Sequence, residues 1–530
     1  MRRHITARQS GHAGHDEPAD SSRRFSARSL LFLFAASVYL YLIFFVHPFI
    51  PIGGSNDGLI YLTAARRMLE GEVLYRDFFE FVTPGTPLLF LVLFKIFGPC
   101  LWIPNATLVA VGLAYAWFAL LIARRTMSLR VAFLPAAAYV VLAFGGHATP
   151  THHWFSVLPA VAAIAVLIEK RTPVRITAAG ALCGLSLCLT QNRGFMALLG
   201  VGVFLLWEWR HVGLAWTTWL KQELLLLAGA FAMVVGVNAY FVWNAGLERF
   251  FYCTVVFVSR YYSANASFGT LRAFTADLPA LTTWRDLASA KSWFLFNALI
   301  PLIYILFLVR YLREARKRPQ EPWDRLMLVA LVGFSLYLSV APAPALYRIA
   351  AGSLPAFVLL GWFLDSHSRL DRTLAVLMWA GVLVTSVTGV LNHQRHWRGI
   401  LVTPQGSVAL LNQAGYEKYR WFQQHTQNGE FLFEPAEDDL YFYLGLRNPA
   451  PIPLLLNTAY TRPEQVREVI RSLETRRVRY VAWWSDELDY YPPGADPRGD
   501  NLWPLRDYLR KRYHVVKVFG RTELVYQRNE

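Results

Sequence analysis

The chain has 530 residues, of which 55% are hydrophobic and only 17% are charged. Soluble proteins carry about a quarter charged residues, so the composition excludes an ordinary soluble enzyme and indicates a polytopic membrane protein. The formal net charge is +16, but the basic residues cluster in short segments between apolar runs. This pattern is typical of membrane topology rather than of nucleic-acid binding. The 4 cysteines lie in or beside apolar stretches, and their spacing indicates neither a disulfide framework nor a zinc site.

The N-terminal three quarters of the chain is dominated by apolar runs. Residues 1–28 lack apolar periodicity and are predicted to be a disordered cytoplasmic tail. The run at 29–50 is too long for a signal-peptide core and lacks a small-x-small cleavage site, so we expect it to remain as the first span. Further runs of spanning length follow at 101–123, 131–147, 154–168, 176–190, 194–208, 224–243, 292–309, 326–346, 349–364 and 373–391. The sequence therefore predicts a helical membrane domain at 29–391 with about eleven transmembrane helices.

The orientation of these helices follows from the connections between them. Alternate connections are rich in Lys and Arg, namely the N-terminal tail, 124–130, 170–175, 210–221, 310–325 and 369–372. By the positive-inside rule these connections face the cytoplasm. The N-terminus is therefore predicted to be cytoplasmic and the C-terminus extracytoplasmic.

The first extracytoplasmic loop, residues 51–100, differs from an ordinary connection. Asp57 lies just past the first apolar run, and the residues after it have helical periodicity that places Tyr61 on the same face. A second acid, Asp77, follows. The apolar run at 88–97 is too short to span a bilayer and is predicted to lie along the membrane surface as an amphipathic helix.

Charged residues distant in sequence are predicted to converge on the extracytoplasmic face: Asp57, Asp77, Arg193, Arg260 and Arg348. The predicted spans contain almost no ionisable residues at mid-depth, where ion-coupled transporters usually place acids or histidines. Charge at the membrane surface instead favours an enzyme that meets a lipid phosphate there.

The order of features in the first loop resembles the GT-C superfamily of membrane glycosyltransferases. It has an acid after the first span, a Tyr one turn later, the segment Gly-x-x-Leu-Tyr-Arg-Asp-Phe, a Pro-Gly pair and a short helix ending in Phe-Gly. The sequence is most similar to the bacterial branch with protein O-mannosyltransferases and lipid A aminoarabinose transferases. The resemblance implies transfer of a sugar, with inversion, from a polyprenyl-phosphate donor to a lipid, glycan or protein acceptor. It also implies a multi-pass protein of the bacterial inner (plasma) membrane with an extracytoplasmic active site.

The resemblance implies that Asp57 is the general base, since glycosyl transfer needs a group that takes the proton of the acceptor hydroxyl. The alternative is that Asn56 or Asp57 only caps the following helix. For Asp77 it implies a catalytic role in orienting the acceptor or a divalent cation. The alternative there is a surface ion pair with Arg76. The acid-Lys-Pro element of the aminoarabinose transferases is incomplete, because Glu80 is not followed by Lys.

The resemblance also places Tyr347 and Arg348 at the donor phosphate, because the guanidinium fork binds two phosphate oxygens at once. The alternative for Arg348 is a membrane anchor whose side chain extends to the headgroups. Both interpretations apply equally to Arg193. No cofactor is implied with certainty.

Further substrate contacts are predicted for Tyr61, His152 and Arg260. His152 and His153 are adjacent and are expected to point in different directions, so they are not predicted to share a metal ion. Arg260 lies in a loop with Tyr261 and Tyr262 that suits covering a sugar, although interfacial tyrosines also form membrane belts.

Residues 392–530 have balanced charge and no further span. A helix at 463–475, a strand at 478–484, a helix at 502–512 and strands at 515–519 and 523–526 predict a small extracytoplasmic α/β domain. It carries no catalytic motif. Its acidic pairs, Asp438-Asp439 and Glu487/Asp489, are predicted to be solvated surface.

Two other functions fit the same composition. A transporter or flippase of lipid-linked sugars is disfavoured because the charges are interfacial and the two halves show no internal repeat. A noncatalytic scaffold with the same fold is expected only if Asp57 tolerates substitution.

Overall fold

The computed structural model describes residues 27–54, 56–262, 286–341, 344–366, 368–435, 438–458, 460–489 and 500–530, without the side chains of 286–289 and 487. The predicted N-terminal tail lies outside the described residues except for its last two, which begin the first helix.

Helices fill the N-terminal part of the described chain. In order they are α1 (Ala27–Phe44), α2 (Gly58–Leu69), α3 (Gly85–Phe97), α4 (Ile103–Thr126), α5 (Phe133–His147, with π-helical turns at Tyr139–Phe144), α6 (His152–Leu167), α7 (Pro173–Leu189), α8 (Gln191–Val212), α9 (Trp216–Ala245), α10 (Leu247–Phe251, continued by π-helical turns at Tyr252–Val256 and Val258–Tyr262), α11 (Asp286–Trp293, π-helical Phe294–Leu299 and Ile300–Glu314), α12 (Trp323–Leu338), α13 (Leu346–Gly352), α14 (Leu354–Leu364) and α15 (Arg369–Arg395).

Every predicted span overlaps a helix or, for 349–364, the bent pair α13 and α14, but the spans predicted at 29–50 and 326–346 run past the ends of α1 at Phe44 and of α12 at Leu338. Among the described residues, 6 helices are long and apolar enough to cross a membrane, or up to 7 if the pair bent by 61° is one span. Helices α5, α6 and α7 are apolar but shorter. The chain is therefore a multi-helix membrane protein, and the count of about eleven spans stays a prediction.

The first sheet joins the segment after the first helix to the segment after α15. After α1 come the strands β1 (Phe45–Val46) and β2 (Ile50–Gly53), and after α15 come β3 (Gly399–Thr403) and β4 (Gly406–Leu410). The strand order is β1-β2-β4-β3, and β2 runs parallel to β4 with Ile52 opposite Ala409. Sequence patterns did not predict this pairing, which fixes the backbone just ahead of Asp57.

The rest of the C-terminal unit is an α/β structure. Its elements are α16 (Gln413–His425), β5 (Leu432–Phe433), α17 (Asp439–Leu444), α18 (Pro463–Thr475), β6 (Tyr480–Trp484), α19 (Ser485–Leu488), α20 (Trp503–Arg512), β7 (Tyr513–Phe519) and β8 (Glu523–Arg528), with the second sheet in the order β5-β6-β8-β7. Helix α18 has the bounds that the sequence predicts. Its apolar stripe, including Val466, Val469 and Leu473, is buried in the core of this unit.

The first loop packs into the C-terminal unit rather than standing apart from it. Leu74, Tyr75 and Phe78 share one buried cluster with residues of α18, β6 and α20. The Phe79 N–H donates to the Pro451 carbonyl at 2.8 Å, and Arg67 Nη1 donates to the Ala450 carbonyl at 2.9 Å. Residues on both sides of the predicted boundary at 392 thus contribute to one core.

The acidic pair Asp438-Asp439 is not the solvated surface that the sequence predicted. Asp438 and Asp439 are each only 1% exposed. Helix α16 brings Lys418 Nζ to 3.0 Å and the Tyr419 hydroxyl to 2.6 Å from Asp439 Oδ2, whereas both carboxylate oxygens of Asp438 have no hydrogen-bond partner among the described residues. Burial raises the pKa of Asp438. Burial acts in the same direction on Asp439, but the charge of Lys418 and the side-chain hydrogen bonds to Asp439 together outweigh it, so the pKa of Asp439 is lowered. Asp489 accepts hydrogen bonds from Trp483 and Arg506. The side chain of Glu487 lies outside the described part.

Candidate functional site

The turn before α2 exposes the carboxylate of Asp57. The Gly58 N–H donates to Asn56 Oδ1 at 2.9 Å, and Asn56 Nδ2 donates to the Gly54 carbonyl at 3.1 Å. The side chain of Asp57 makes no capping hydrogen bond, and the residue is exposed. Capping at this helix start is therefore done by Asn56, and the Asp57 carboxylate is available for another role.

A directional chain of hydrogen bonds links this carboxylate to an arginine. Arg348 Nε donates to the Tyr347 hydroxyl at 3.1 Å, and that hydroxyl donates to Asp57 Oδ2 at 3.4 Å. A phenol can accept and donate at once, so both bonds form together. Arg348 Nη2 also donates to the Tyr262 hydroxyl at 3.5 Å. The structure thus brings together three predicted residues, and Tyr262, which was noted only as part of its loop, joins them.

The opposite wall of the site is formed by aromatic and imidazole rings. The Tyr61 hydroxyl lies 2.5 Å from His152 Nδ1, and burial raises the pKa of Tyr61, which keeps its hydroxyl protonated. The rings of His152 and His153 are 3.8 Å apart, and the His153 ring is 5.4 Å from that of Tyr347. The expectation that the two histidines point apart is wrong, because both rings pack against the site at the first turn of α6. No group of three or more metal-ligating side chains occurs among the residues described.

Arg193 is buried against the backbone of Arg348. Its residue is 2% exposed, and its Nη2 donates to the Arg348 carbonyl at 2.6 Å. The close packing of α7 on α8 sets this position, since a Cβ on Gly194 would lie 2.0 Å from the Leu187 nitrogen. Nη1 has no hydrogen-bond partner in the described part of the chain. Such burial excludes a headgroup anchor and adds a second positive charge behind Arg348.

Glu80 is a buried acid near the site that was not among the predicted site residues. It is 3% exposed, and its Oε1 accepts hydrogen bonds from the Phe81 and Val82 N–H groups at 2.8 Å and 3.1 Å. Burial raises the pKa of Glu80 to about 7, even though these two bonds act in the opposite direction. The neighbouring Phe81 ring stacks on Tyr262 with ring centres 4.9 Å apart. The incomplete acid-Lys-Pro element was the available sequence signal.

Two predicted residues are not brought into this cluster. Asp77 accepts two hydrogen bonds from Arg76, at 2.9 Å and 2.7 Å, and one from the Val73 N–H at 2.7 Å. The bonds from Arg76 are the main cause that lowers the pKa of Asp77. Arg260 is exposed, and Tyr262, two residues further on, contacts Arg348 in its place. The role of both residues stays a prediction.

Comparison with known proteins finds similarity in structure. No family model matches the chain, and no curated protein matches it in sequence. ArnT from Cupriavidus metallidurans bound to undecaprenyl phosphate superimposes with a TM-score of 0.57 at 14% identity, over 94% of this chain and 97% of that one. Its apo state gives a TM-score of 0.59 at 13% identity, with the same coverage. The archaeal oligosaccharyltransferase AglB from Archaeoglobus fulgidus, in complex with an inhibitory peptide and a dolichol-phosphate, gives 0.52 at 12% identity, over 95% of this chain and 74% of that one.

The chain has the fold of the GT-C glycosyltransferases. The resemblance stated from the first loop is confirmed at the level of the fold. Within this GT-C fold, Asp57 occupies the turn between the first helix and α2, at one end of the hydrogen-bonded chain that begins at Arg348.

Proposed function

We propose that the protein is a membrane glycosyltransferase that moves a sugar from a polyprenyl-phosphate donor to a lipid, glycan or protein acceptor. The observation that carries this proposal is the chain from Arg348 through Tyr347 to Asp57. It places a cation suited to phosphate and a carboxylate suited to proton abstraction within two hydrogen bonds of each other. The GT-C fold, shared with ArnT bound to undecaprenyl phosphate and with AglB bound to a dolichol-phosphate, supports the same kind of reaction.

The two ends of this series of hydrogen bonds have different roles in the reaction. The acceptor hydroxyl oxygen attacks the anomeric carbon while its proton passes to Asp57. The bond from that carbon to the phosphate oxygen breaks, and its electron pair leaves with the polyprenyl phosphate, so the configuration inverts. Arg348 binds the charge that grows on the leaving phosphate, and Arg193 adds a buried positive charge behind it. Tyr347 orients Asp57 by donating a hydrogen bond to its carboxylate.

The proposed location is the bacterial inner membrane, with about eleven spans and the N-terminus in the cytoplasm. The site and the C-terminal unit then face the extracytoplasmic side. Donor and acceptor lipids would reach the site from the bilayer.

The test is binding of undecaprenyl phosphate to the purified protein in nanodiscs. Removing a charge-assisted hydrogen bond costs about 1.5–3 kcal/mol, so we expect Arg348→Ala to weaken binding roughly ten- to hundredfold. Arg348→Lys restores it only in part, because an ammonium lacks the guanidinium fork. Arg420→Ala, which removes an exposed arginine of the C-terminal unit, serves as the matched control. If Arg348→Ala binds as tightly as the wild type but accumulates poorly, Arg348 is an anchor and the donor assignment is wrong.

A further inference from the structure

A cavity lies on the far side of α2 from the cluster formed by Asp57, Tyr347 and Arg348. Its volume is about 280 Å³, and Leu59 and Leu62 line it. Successive residues of a helix are about 100° apart, so these two leucines face away from Asp57 and Tyr61. The cavity and the site thus occupy opposite sides of the same helix.

The two compartments share a wall. Residues 145–150 line the cavity, and His152 and His153 of the same segment line the site. Gly58 packs closely against this wall, since a Cβ there would lie 2.6 Å from Pro150 Cγ. Asn56 lines the cavity as well, and the next residue is Asp57. An acceptor hydroxyl at the edge formed by Asn56 would therefore lie beside the proposed base.

The chemistry of the cavity differs from that of the site. Among the described residues, its lining contains no Asp, Glu, Lys or Arg, and its polar side chains are those of Asn56, Asn105, His147, Thr149, His393 and Tyr443. His393 Nδ1 lies 2.9 Å from the Gly389 carbonyl, and a carbonyl only accepts, so Nδ1 carries the proton of that hydrogen bond. Because burying a charge without a partner is costly, this lining favours a neutral group that offers hydroxyls.

The position of the cavity and its free volume further limit the kind of ligand that it can hold. It lies where α1 ends and α4 begins, and Ile43, Phe44 and Leu108 of these two helices of spanning length line it. A Cβ on Gly54 or Gly146 would meet nothing within 4 Å, so both glycines face open space. Pockets for whole drug-sized ligands have about 300–1,000 Å³, so this one takes a single small unit such as one sugar ring.

We propose that this cavity binds the acceptor, and that the group it receives is an uncharged sugar of a lipid-linked glycan. This inference rests on the proposed transferase function and adds the class of acceptor. The sugar lies against Asn105 Oδ1, the Thr149 hydroxyl and the imidazoles of His147 and His393, because the Tyr443 hydroxyl and Asn105 Nδ2 already bond to backbone groups. Its lipid follows the apolar residues of α1 and α4 into the bilayer. A hydroxyl at the Asn56 edge then attacks the anomeric carbon of the donor and gives its proton to Asp57.

The test is photolabelling of the full chain in nanodiscs with two alkyl glycosides that differ only in charge. An alkyl β-glucoside and the matching β-glucuronide each carry a diazirine next to the glycosidic oxygen, and labelled peptides are mapped by mass spectrometry. We expect the glucoside to label peptides that contain residues 43–62, 101–108 or 145–150, and the glucuronide to label them at least about tenfold less. Gly146→Leu fills the open space and abolishes this labelling. Gly381→Leu, at a glycine of α15 whose Cβ position is equally open, leaves it unchanged.

Binding of undecaprenyl phosphate separates this inference from the proposed function. Gly146→Leu is expected to keep the affinity of the wild type for that lipid. If Gly146→Leu weakens lipid binding, the cavity belongs to the donor and the inference is overturned. Equal labelling by the glucuronide overturns it too, as does labelling of the same walls by a photoreactive Ser-containing peptide in preference to the glucoside. A wild type that is labelled at the cavity but binds no undecaprenyl phosphate contradicts the donor assignment alone.

Discussion

The substitution Asp57→Asn separates a catalytic from a structural role of the first loop. The exposed carboxylate makes no capping bond and accepts one long hydrogen bond, at 3.4 Å, from Tyr347. The amide oxygen of Asn can still accept that bond, but the amide cannot take up a proton at neutral pH. The change therefore removes the base and leaves its surroundings in place.

The expected magnitudes follow from this geometry. Loss of one exposed hydrogen bond changes the free energy of unfolding by less than about 1 kcal/mol. General base catalysis supplies roughly 10²–10⁴ in rate, so the activation barrier for transfer rises by about 3–5 kcal/mol. Turnover should fall while the apparent melting temperature stays close to that of the wild type.

The assay measures sugar transfer from a panel of polyprenyl-phosphate sugars by the purified protein and its variants, after their thermal stabilities have been matched. Asp77→Asn is the companion variant, because the same chemical change there removes an ion pair with Arg76 whose side chains are 47% and 33% exposed. Surface pairs of this kind contribute about 0–1 kcal/mol, so we expect wild-type turnover. An Asp57→Asn protein that transfers sugar at the wild-type rate would refute the mechanism. If Asp77→Asn alone caused a large loss of turnover, the general base would be Asp77 and not Asp57.

Three further outcomes are expected. Tyr347→Phe removes the hydroxyl between Arg348 and Asp57, so turnover should fall about tenfold with little change in undecaprenyl phosphate binding; unchanged turnover would contradict a role for this hydroxyl. The pKa of Glu80 is raised from 4.5 to about 7, so between these pH values the folded state binds a proton that the unfolded state lacks. The free energy of unfolding should therefore fall by up to roughly 3 kcal/mol as the pH rises from about 5 to 7. Glu80→Gln should lose this pH dependence of the melting temperature, whereas the surface variant Glu417→Gln should keep it. A reporter that is active only outside the cytoplasm should work when fused after Glu530 and fail after Lys317, and the reverse would show that the predicted topology is off by one span.

Local patterns in the sequence predicted the local structure well. The apolar runs became helices, and the helix Pro463–Thr475 has the predicted bounds, because periodicity and the residues at helix ends act within a few turns. Local patterns do not predict which polar side chains become buried. Nothing near Arg193 in sequence shows that its guanidinium will lie under the Arg348 carbonyl.

The contacts that build the site join residues that are far apart in the sequence, so local sequence patterns could not predict them. Tyr347 and Asp57 are 290 positions apart, and α13 can be aligned with α2 only once the helices between them are packed. The prediction for Asp438 and Asp439 followed the usual rule that acids are exposed, and for Asp439 this rule fails because Lys418 of another helix is buried with it. Tyr262 was one of several tyrosines in its loop, and only the fold shows which of them meets Arg348.

The pairing of β2 with β4 has a consequence for how the protein is synthesised and folded. The Gly54 N–H donates to the Tyr443 hydroxyl across 389 residues, and the strand that ends at Gly53 has its parallel partner in β4. During synthesis the first loop therefore leaves the ribosome long before the strand that completes its sheet, and until then β2 has an unpaired edge. Truncation before β4 should leave the membrane helices inserted but Asp57 without a fixed position. Supplying residues 392–530 as a separate exported chain would show whether the late segment alone can activate an already inserted membrane part.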